Sequence, residues 1–525
     1  MNTANTSHAN SLSATAVRWL ILATALVAIT NLFTALGDLP LSRVQEVRVA
    51  ETAQEMLGRH EYLTPWFNGE LRFQKPPLAY WLAISGYRIF GEVSEFSLRF
   101  LTACFGAGSL LLLFRFVRKH ADTFTACFSV LCMASCIIPL KMARVAETDT
   151  PLLFFIIAAV ALGYELLCAE IRRPATGLMF FVAMSLGVLS KGPPGFAIPL
   201  GLFLLTAWIN RKKRALSQLV SPAGWMLFIV IACSWYAWMY LQHPDALMHT
   251  LQKETDDTYI SGDHKQPVYY YLTRGIGYYA PWSLLVIPCA LWLWQQRATL
   301  PSLVRYALLW FLLVFTMLSF NANKQAHYSL LLAPSLAILL GYYLQHADGR
   351  HRTGITVFGA ITTLACAAWN IHLLARLPFH ISYLIAFIIV PLAATGIYKY
   401  HGRLPAIVLA ASGMAALCIT LTAIQKEALP GNALFDQKQL GEQARQAGYR
   451  PLFFYPAMLD EILFYAGGPI PELKNTAAIT TALQTHAAIY VFATAQDAEN
   501  LTNNFNPSVI TSNKHFRLLK IGAEP

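Results

Sequence analysis

The chain has 525 residues, of which 56% are hydrophobic and 13% charged, with a formal net charge of +11. A soluble protein of this size carries about 25% charged residues, so a soluble globular chain is excluded. The positive charge sits in short clusters between apolar runs (Arg115, Arg118, Lys119; Arg172, Arg173; Arg211 to Arg214; Arg350, Arg352; Lys399, Arg403). That alternation marks the inner loops of a membrane protein rather than a nucleic-acid surface.

Residues 1–16 are polar and carry no Lys, Arg, Asp or Glu. Arg18 then opens an apolar run to Leu36, too long for the core of a signal peptide, which predicts a first transmembrane helix. A loop at 37–96 follows. It contains QEVRVAETAQEML (45–57), LTPWFNG (63–69) and RFQKPPLAYW (72–81), and so gathers Glu46, Arg48, Glu51, Lys75 and Pro76–Pro77. Ionisable groups crowded beside an apolar helix suit an enzyme working on a charged lipid headgroup at the bilayer surface. Arg48 and Glu51 could equally pair with each other across one helical turn. Proline keeps the residue before it out of the helical region, so Lys75 is presented from an extended segment leading into a helix start, a setting that suits an anion. Residues 77–90 are apolar but short and are expected to lie along the interface.

Apolar stretches recur at 97–117, 122–142, 150–168, 175–190, 193–210, 222–241, 272–296, 302–320, 328–345, 353–374, 380–398 and 404–423, making about 13 spans with the first. An inner N-terminus then places the basic loops inside and the C-terminus outside. The nine cysteines fall in or beside these spans and form no disulfide or zinc pattern. Outer turns carry ARVAETDTP (143–151), SKGPP (190–194), the loop 242–271 with KETDDTYISGDHKQPVYYY, and NKQAHY (323–328). Asp149 could cap the helix that follows it. From residue 425 the chain turns polar, with strand-like segments at 451–456, 487–494 and 516–522 and helical ones at 436–447 and 495–503. Walker A, dinucleotide, HExxH and GxSxG motifs are absent.

The ordered set QEVRVAE, QEML, TPWFNG, QKPPLAYW, RVAETDTPL, LSKGPPG, HKQPVYYYL, APWSL and NKQAHYSLLLAP resembles the lipid A aminoarabinose transferase and protein O-mannosyltransferase superfamily. The resemblance covers essentially the whole chain. It implies a polytopic α-helical membrane protein of the GT-C type, with a transmembrane glycosyltransferase domain at 1–424 and a small periplasmic α/β domain at 425–525. Loops 37–96 and 242–271 would form the active site. It implies an inverting glycosyltransferase that moves a sugar from a polyprenyl (undecaprenyl) phosphate to an outer-face acceptor such as lipid A or another envelope glycan. Its setting would be the bacterial inner membrane, with the site and the C-terminus facing the periplasm. Neither a cofactor nor a metal is required, although Asp256–Asp257 leaves an opening for one. The expected partners are the lipid-linked donor, the acceptor and membrane lipids, not nucleic acid.

Carried over by motif, Lys75 would hold the donor phosphate, and Glu46 and Asp149 would be the active-site carboxylates. Further candidates for the phosphate are Arg144, Lys191, His264, Lys265 and Lys324. Arg48, Glu147, Glu254, Tyr270, His327 and Tyr328 are candidates for substrate contact. Two positions depart from the family pattern: Gln45 and Gln74 stand where it has acids. A glutamine cannot take a proton from an acceptor hydroxyl. Glu46 or Asp149 would have to substitute, or the acceptor would have to arrive ionised. Other readings of the same features are protein O-glycosylation, a lipid-linked-sugar flippase and a weakly active paralogue.

Overall fold

The computed structural model describes residues 14–522 apart from 172, 257–264 and 379. The membrane part contains α1 (Ala14–Phe33), α2 (Val44–Arg59), a two-stranded ribbon β1 (Trp66–Phe67) and β2 (Glu70–Leu71), α3 (Leu78–Phe90), α4 (Glu95–His120), α5 (Thr123–Ser135), α6 (Ile137–Ala143), α7 (Asp149–Cys168), α8 (Pro174–Lys191) and α9 (Pro194–Ile209). It continues through α10 (Lys213–Leu216), α11 (Pro222–Gln242), α12 (Pro244–Asp256), α13 (Tyr270–Tyr278), α14 (Val286–Gln295), α15 (Ser302–Phe320), α16 (Ala333–His346), α17 (Gly349–Leu374), α18 (Ile381–His401) and α19 (Arg403–Glu427).

Ten helices among the described residues are long and apolar enough to cross a bilayer, and α5–α6 forms one more crossing if its 74° bend is spanned as a unit. Two of the expected spans are shorter apolar helices, Pro194–Ile209 and Trp282–Gln295. All 13 expected stretches are therefore apolar helix, but length alone assigns a crossing to ten or eleven. The break in α5–α6 falls at Cys136, whose extended backbone interrupts the helical ladder. α3 has 13 residues, about 20 Å of helix, too short for the roughly 30 Å hydrocarbon core.

Local signals set the ends of these helices. Asp122 caps α5 through the Thr125 amide at 2.9 Å, and Ser94 with Ser97 forms a capping box on α4. Inside the bundle, α16 packs against α5 at a glycine contact. A Cβ on Gly341 would lie 2.2 Å from Ser129 Oγ, so only glycine permits that approach. Trp282 and Trp310 fill the same core, and the Trp282 indole donates to Ser135 Oγ at 2.8 Å.

The C-terminal part comprises α20 (Ala433–Ala447), β3 (Leu452–Tyr455), α21 (Asp460–Ala466), α22 (Thr476–Thr485), β4 (Ala488–Thr494), α23 (Ala495–Phe505), β5 (Ser508–Ser512) and β6 (Phe516–Gly522). The sheet order is β3-β4-β6-β5, with β3 and β4 parallel and β6 antiparallel to both its neighbours. The three strands and two helices expected from sequence are present; β5, α21 and α22 were not anticipated. This small domain rests on the segment between α1 and α4. Lys438 Nζ meets Glu95 at 2.5 Å, Tyr465 donates to Glu95 at 3.0 Å and accepts from the Leu41 amide, and Asn68 exchanges two hydrogen bonds with the Ile470 backbone.

Candidate active site

A cavity of about 620 Å³ opens beneath this loop assembly. Helix α2 contributes Gln45, Arg48 and Val49, which share one face because successive turns bring i, i+3 and i+4 together. The segment before α3 contributes Arg72, Gln74 and Lys75, and α3 adds Tyr80. Glu147, Thr148 and Asp149 come from the α6–α7 turn, and Lys191 from the end of α8. His249, Thr250, Lys253 and Glu254 project from α12, and Asn323, Gln325, His327 and Tyr328 come from the α15–α16 connection. The chemistry is thus assembled from six separate parts of the chain.

Three ion pairs organise it. Lys191 Nζ lies 2.7 Å from Asp149 Oδ1, with the Tyr328 ring 4.8 Å from the same ammonium. Arg43 holds Glu147 through both carboxylate oxygens and comes within 3.4 Å of His327 Nδ1. Lys75 Nζ meets Glu254 Oε2 at 3.1 Å. Burial lowers the Lys75 pKa and Lys191 and Arg72 lower it further, against Glu254. Burial raises the pKa of Glu147, opposed by Arg43. Arg48 is lowered by burial and by the like charge of Arg72, and the Nε atoms of both arginines are buried without a hydrogen-bond partner among the described residues.

Of the expected site residues, Lys75, Arg48, Glu147, Asp149, Lys191, Glu254, His327 and Tyr328 all line this cavity. The others do not. Glu46 is turned about 100° from Gln45 around the helix. There it is fully buried, accepting from Arg99 at 2.7 and 2.9 Å and from the Ala146 amide at 2.9 Å. Arg99 also donates to the Leu36, Leu39 and Pro40 carbonyls, so the pair fastens the chain leaving α1. The expectation of Glu46 as an active-site carboxylate is therefore revised to a structural one.

Arg144 donates to the Asn31, Leu32 and Ala35 carbonyls and so closes the C-terminal end of α1. Lys324 binds the Gln266 and Asn321 carbonyls, tying two outer loops together, and Lys265 pairs with Asn323 in an isolated bridge. Tyr270 meets Tyr278 at 2.9 Å on α13, away from the cavity lining. His264 lies outside the described residues. Sequence reasoning missed Arg43, Arg72, Tyr80, His249 and Lys253. Arg72, three residues before Lys75 on an extended segment, was the most accessible of these from sequence.

Glu147, Asp149 and His327 each bring one ligand atom to within 4.8 Å of the others, a donor set that could hold a cation. Arg43 and Lys191 already sit on the two carboxylates and would compete with it.

The dolichyl-phosphate-mannose-protein mannosyltransferase family matches residues 15–246. The undecaprenyl phosphate-alpha-4-amino-4-deoxy-L-arabinose arabinosyl transferase 1 of Pseudomonas fluorescens is 26% identical over 324 residues, 61% of this chain and 58% of that one. An uncharacterized protein of Aquifex aeolicus is 30% identical over 315 residues, 58% of this chain and 68% of its own. The crystal structure of ArnT from Cupriavidus metallidurans bound to undecaprenyl phosphate superposes with a TM-score of 0.77 at 20% identity, covering 97% of this chain and 99% of that one.

The fold, with the family match, is that of a polytopic membrane glycosyltransferase of the GT-C type. The chain belongs to the superfamily that joins the lipid A aminoarabinose transferases and the protein O-mannosyltransferases, whose sugar donors are linked to a lipid phosphate.

Proposed function

We propose that this enzyme moves a sugar from a polyprenyl phosphate to an acceptor at the outer face of the bacterial inner membrane, in the cavity between Lys75, Asp149 and Lys191. The observation that carries the reading is the convergence of Lys75, Lys191, Arg48, Arg72 and Lys253 on one cavity in which Lys191 is paired with Asp149, Lys75 with Glu254 and Glu147 with Arg43, so that Arg48, Arg72 and Lys253 exceed the carboxylates present. That arrangement leaves positive charge for an incoming anion. When the bond from the anomeric carbon to the phosphate oxygen breaks, the electron pair stays on that oxygen and the lipid phosphate gains charge. Cations fixed in place beforehand lower that barrier.

Asp149 is the carboxylate that faces the acceptor. Gln45, which also lines the cavity, can orient an acceptor but cannot deprotonate it. The acceptor, such as lipid A or another envelope glycan, would present its reacting oxygen to Asp149. The Pseudomonas fluorescens relative, an undecaprenyl phosphate-alpha-4-amino-4-deoxy-L-arabinose arabinosyl transferase, supports a polyprenyl donor.

An outward-facing cavity is supported by charge at the opposite end of α7. There Glu165 binds Lys119 and His120 with Arg173 nearby, 16 residues and about 24 Å of helix from Asp149. Asp149→Asn, in membranes supplied with polyprenyl-phosphate sugar, is expected to lower transfer by about 100-fold or more at unchanged protein level. Transfer within about threefold of wild type would remove Asp149 from the chemistry.

A further inference from the structure

The Lys75–Glu254 pair places a carboxylate on the cation that the proposed function assigns to the donor phosphate. We propose that Glu254 is a displaceable counter-ion which biases the site against the spent, dianionic carrier and so promotes product release. This role rests on the polyprenyl-phosphate reading above.

Three observations carry it. Glu254 is held at 3.1 Å by Lys75, and both side chains stay partly open to the cavity, at 26% and 41% exposure. Among the described residues this is the one side-chain hydrogen bond that Glu254 makes. Its helix, α12, is anchored about two turns earlier, where Leu247 packs with Phe73, Trp235 and Met239, so Glu254 can swing without unseating the helix. The remaining cavity carboxylates differ: Glu147 and Asp149 are buried and already held by Arg43 and Lys191.

The chemistry gives this placement a consequence. A polyprenyl phosphate sugar is a phosphodiester and carries one negative charge. After transfer, the carrier is a phosphomonoester whose second ionisation lies near pH 6, so it approaches two charges at neutral pH. A cluster of five cations would hold that dianion more tightly than the donor and stall turnover. A carboxylate competing for Lys75 and repelling the ligand acts about twice as strongly on the dianion as on the monoanion. Substrate entry and product exit are thereby separated by charge.

The test uses the full-length protein in nanodiscs, with undecaprenyl phosphate and its methyl diester as the dianionic and monoanionic probes. Glu254→Gln is expected to bind undecaprenyl phosphate roughly tenfold more tightly than wild type, with a smaller gain for the diester. The difference between the probes should shrink below about pH 6, where the monoester loses its second charge. It should also shrink in high salt. Glu254→Asp, which keeps the charge, should restore the wild-type preference and controls for misfolding. Equal affinities of wild type and Glu254→Gln for undecaprenyl phosphate, or the same gain for both probes, would overturn the role. Wild-type protein that binds neither probe would overturn the polyprenyl-phosphate reading itself.

Discussion

Glu46 and Gln45 are adjacent in the chain, yet only Gln45 reaches the cavity. Glu46 is sealed against Arg99, and removing one partner of a buried ion pair destabilises by about 3 to 5 kcal/mol. Glu46→Gln is therefore expected to lower the thermal midpoint and the yield of folded protein while transfer per folded molecule stays near wild type. A stable variant without transfer would return Glu46 to the chemistry. The sequence placed both residues in the segment between the first two membrane helices, where α2 lies. Which of two neighbours faces the ligand depends on helix phase, and that is set by what packs against α2, not by α2 alone. The same holds for Arg144, whose turn was rightly placed but whose guanidinium closes α1 instead of meeting a phosphate.

At the scale of elements, α2 has two jobs. One face lines the cavity, and another supports the C-terminal domain, where Val47, Ala50, Ala53 and Met56 pack in one cluster with Phe464 and Tyr465 of α21. Glu51 is buried on this helix with neither carboxylate oxygen paired. Burial raises its pKa to about 8, Glu55 adds to the rise and Arg445 opposes it. A carboxyl that is protonated when folded and ionised when unfolded stabilises the fold fully below its ordinary value of 4.5, and that contribution is lost as the pH rises through about 8. Thermal stability should accordingly fall between about pH 5 and pH 9, and Glu51→Gln should flatten the fall. A wild-type midpoint that is constant or rising over that range would contradict the assignment. Nothing local in the sequence separates Glu51 from an exposed helical glutamate paired with Arg48. Its burial comes from a domain about 400 residues further along the chain.

For the whole molecule, apolar run length made the membrane body legible, because a hydrocarbon layer of about 30 Å imposes a minimum helix length. Shorter helices were less legible. Helices of 16 and 10 residues, α9 and α14, look like spans by composition but fall short by length. In the C-terminal domain the apolar strands were readable and β5, with its sequence SVITS at the sheet edge, was not. The cavity itself was only half legible. The sequence set Lys75, Asp149, Lys191 and His327 in different outer turns, and their meeting depends on how α7, α8 and α16 converge, which no local pattern records.

The proposed transfer of a sugar from a lipid phosphate held by Lys75 can be tested in the cell by mass spectrometry of envelope lipids and glycans from a deletion strain, complemented with wild type or with Lys75→Ala at matched protein levels. One envelope species is expected to lose a single sugar mass in the deletion strain, wild type to restore it, and Lys75→Ala not to. Full restoration by Lys75→Ala, or an envelope unchanged by the deletion, would contradict it.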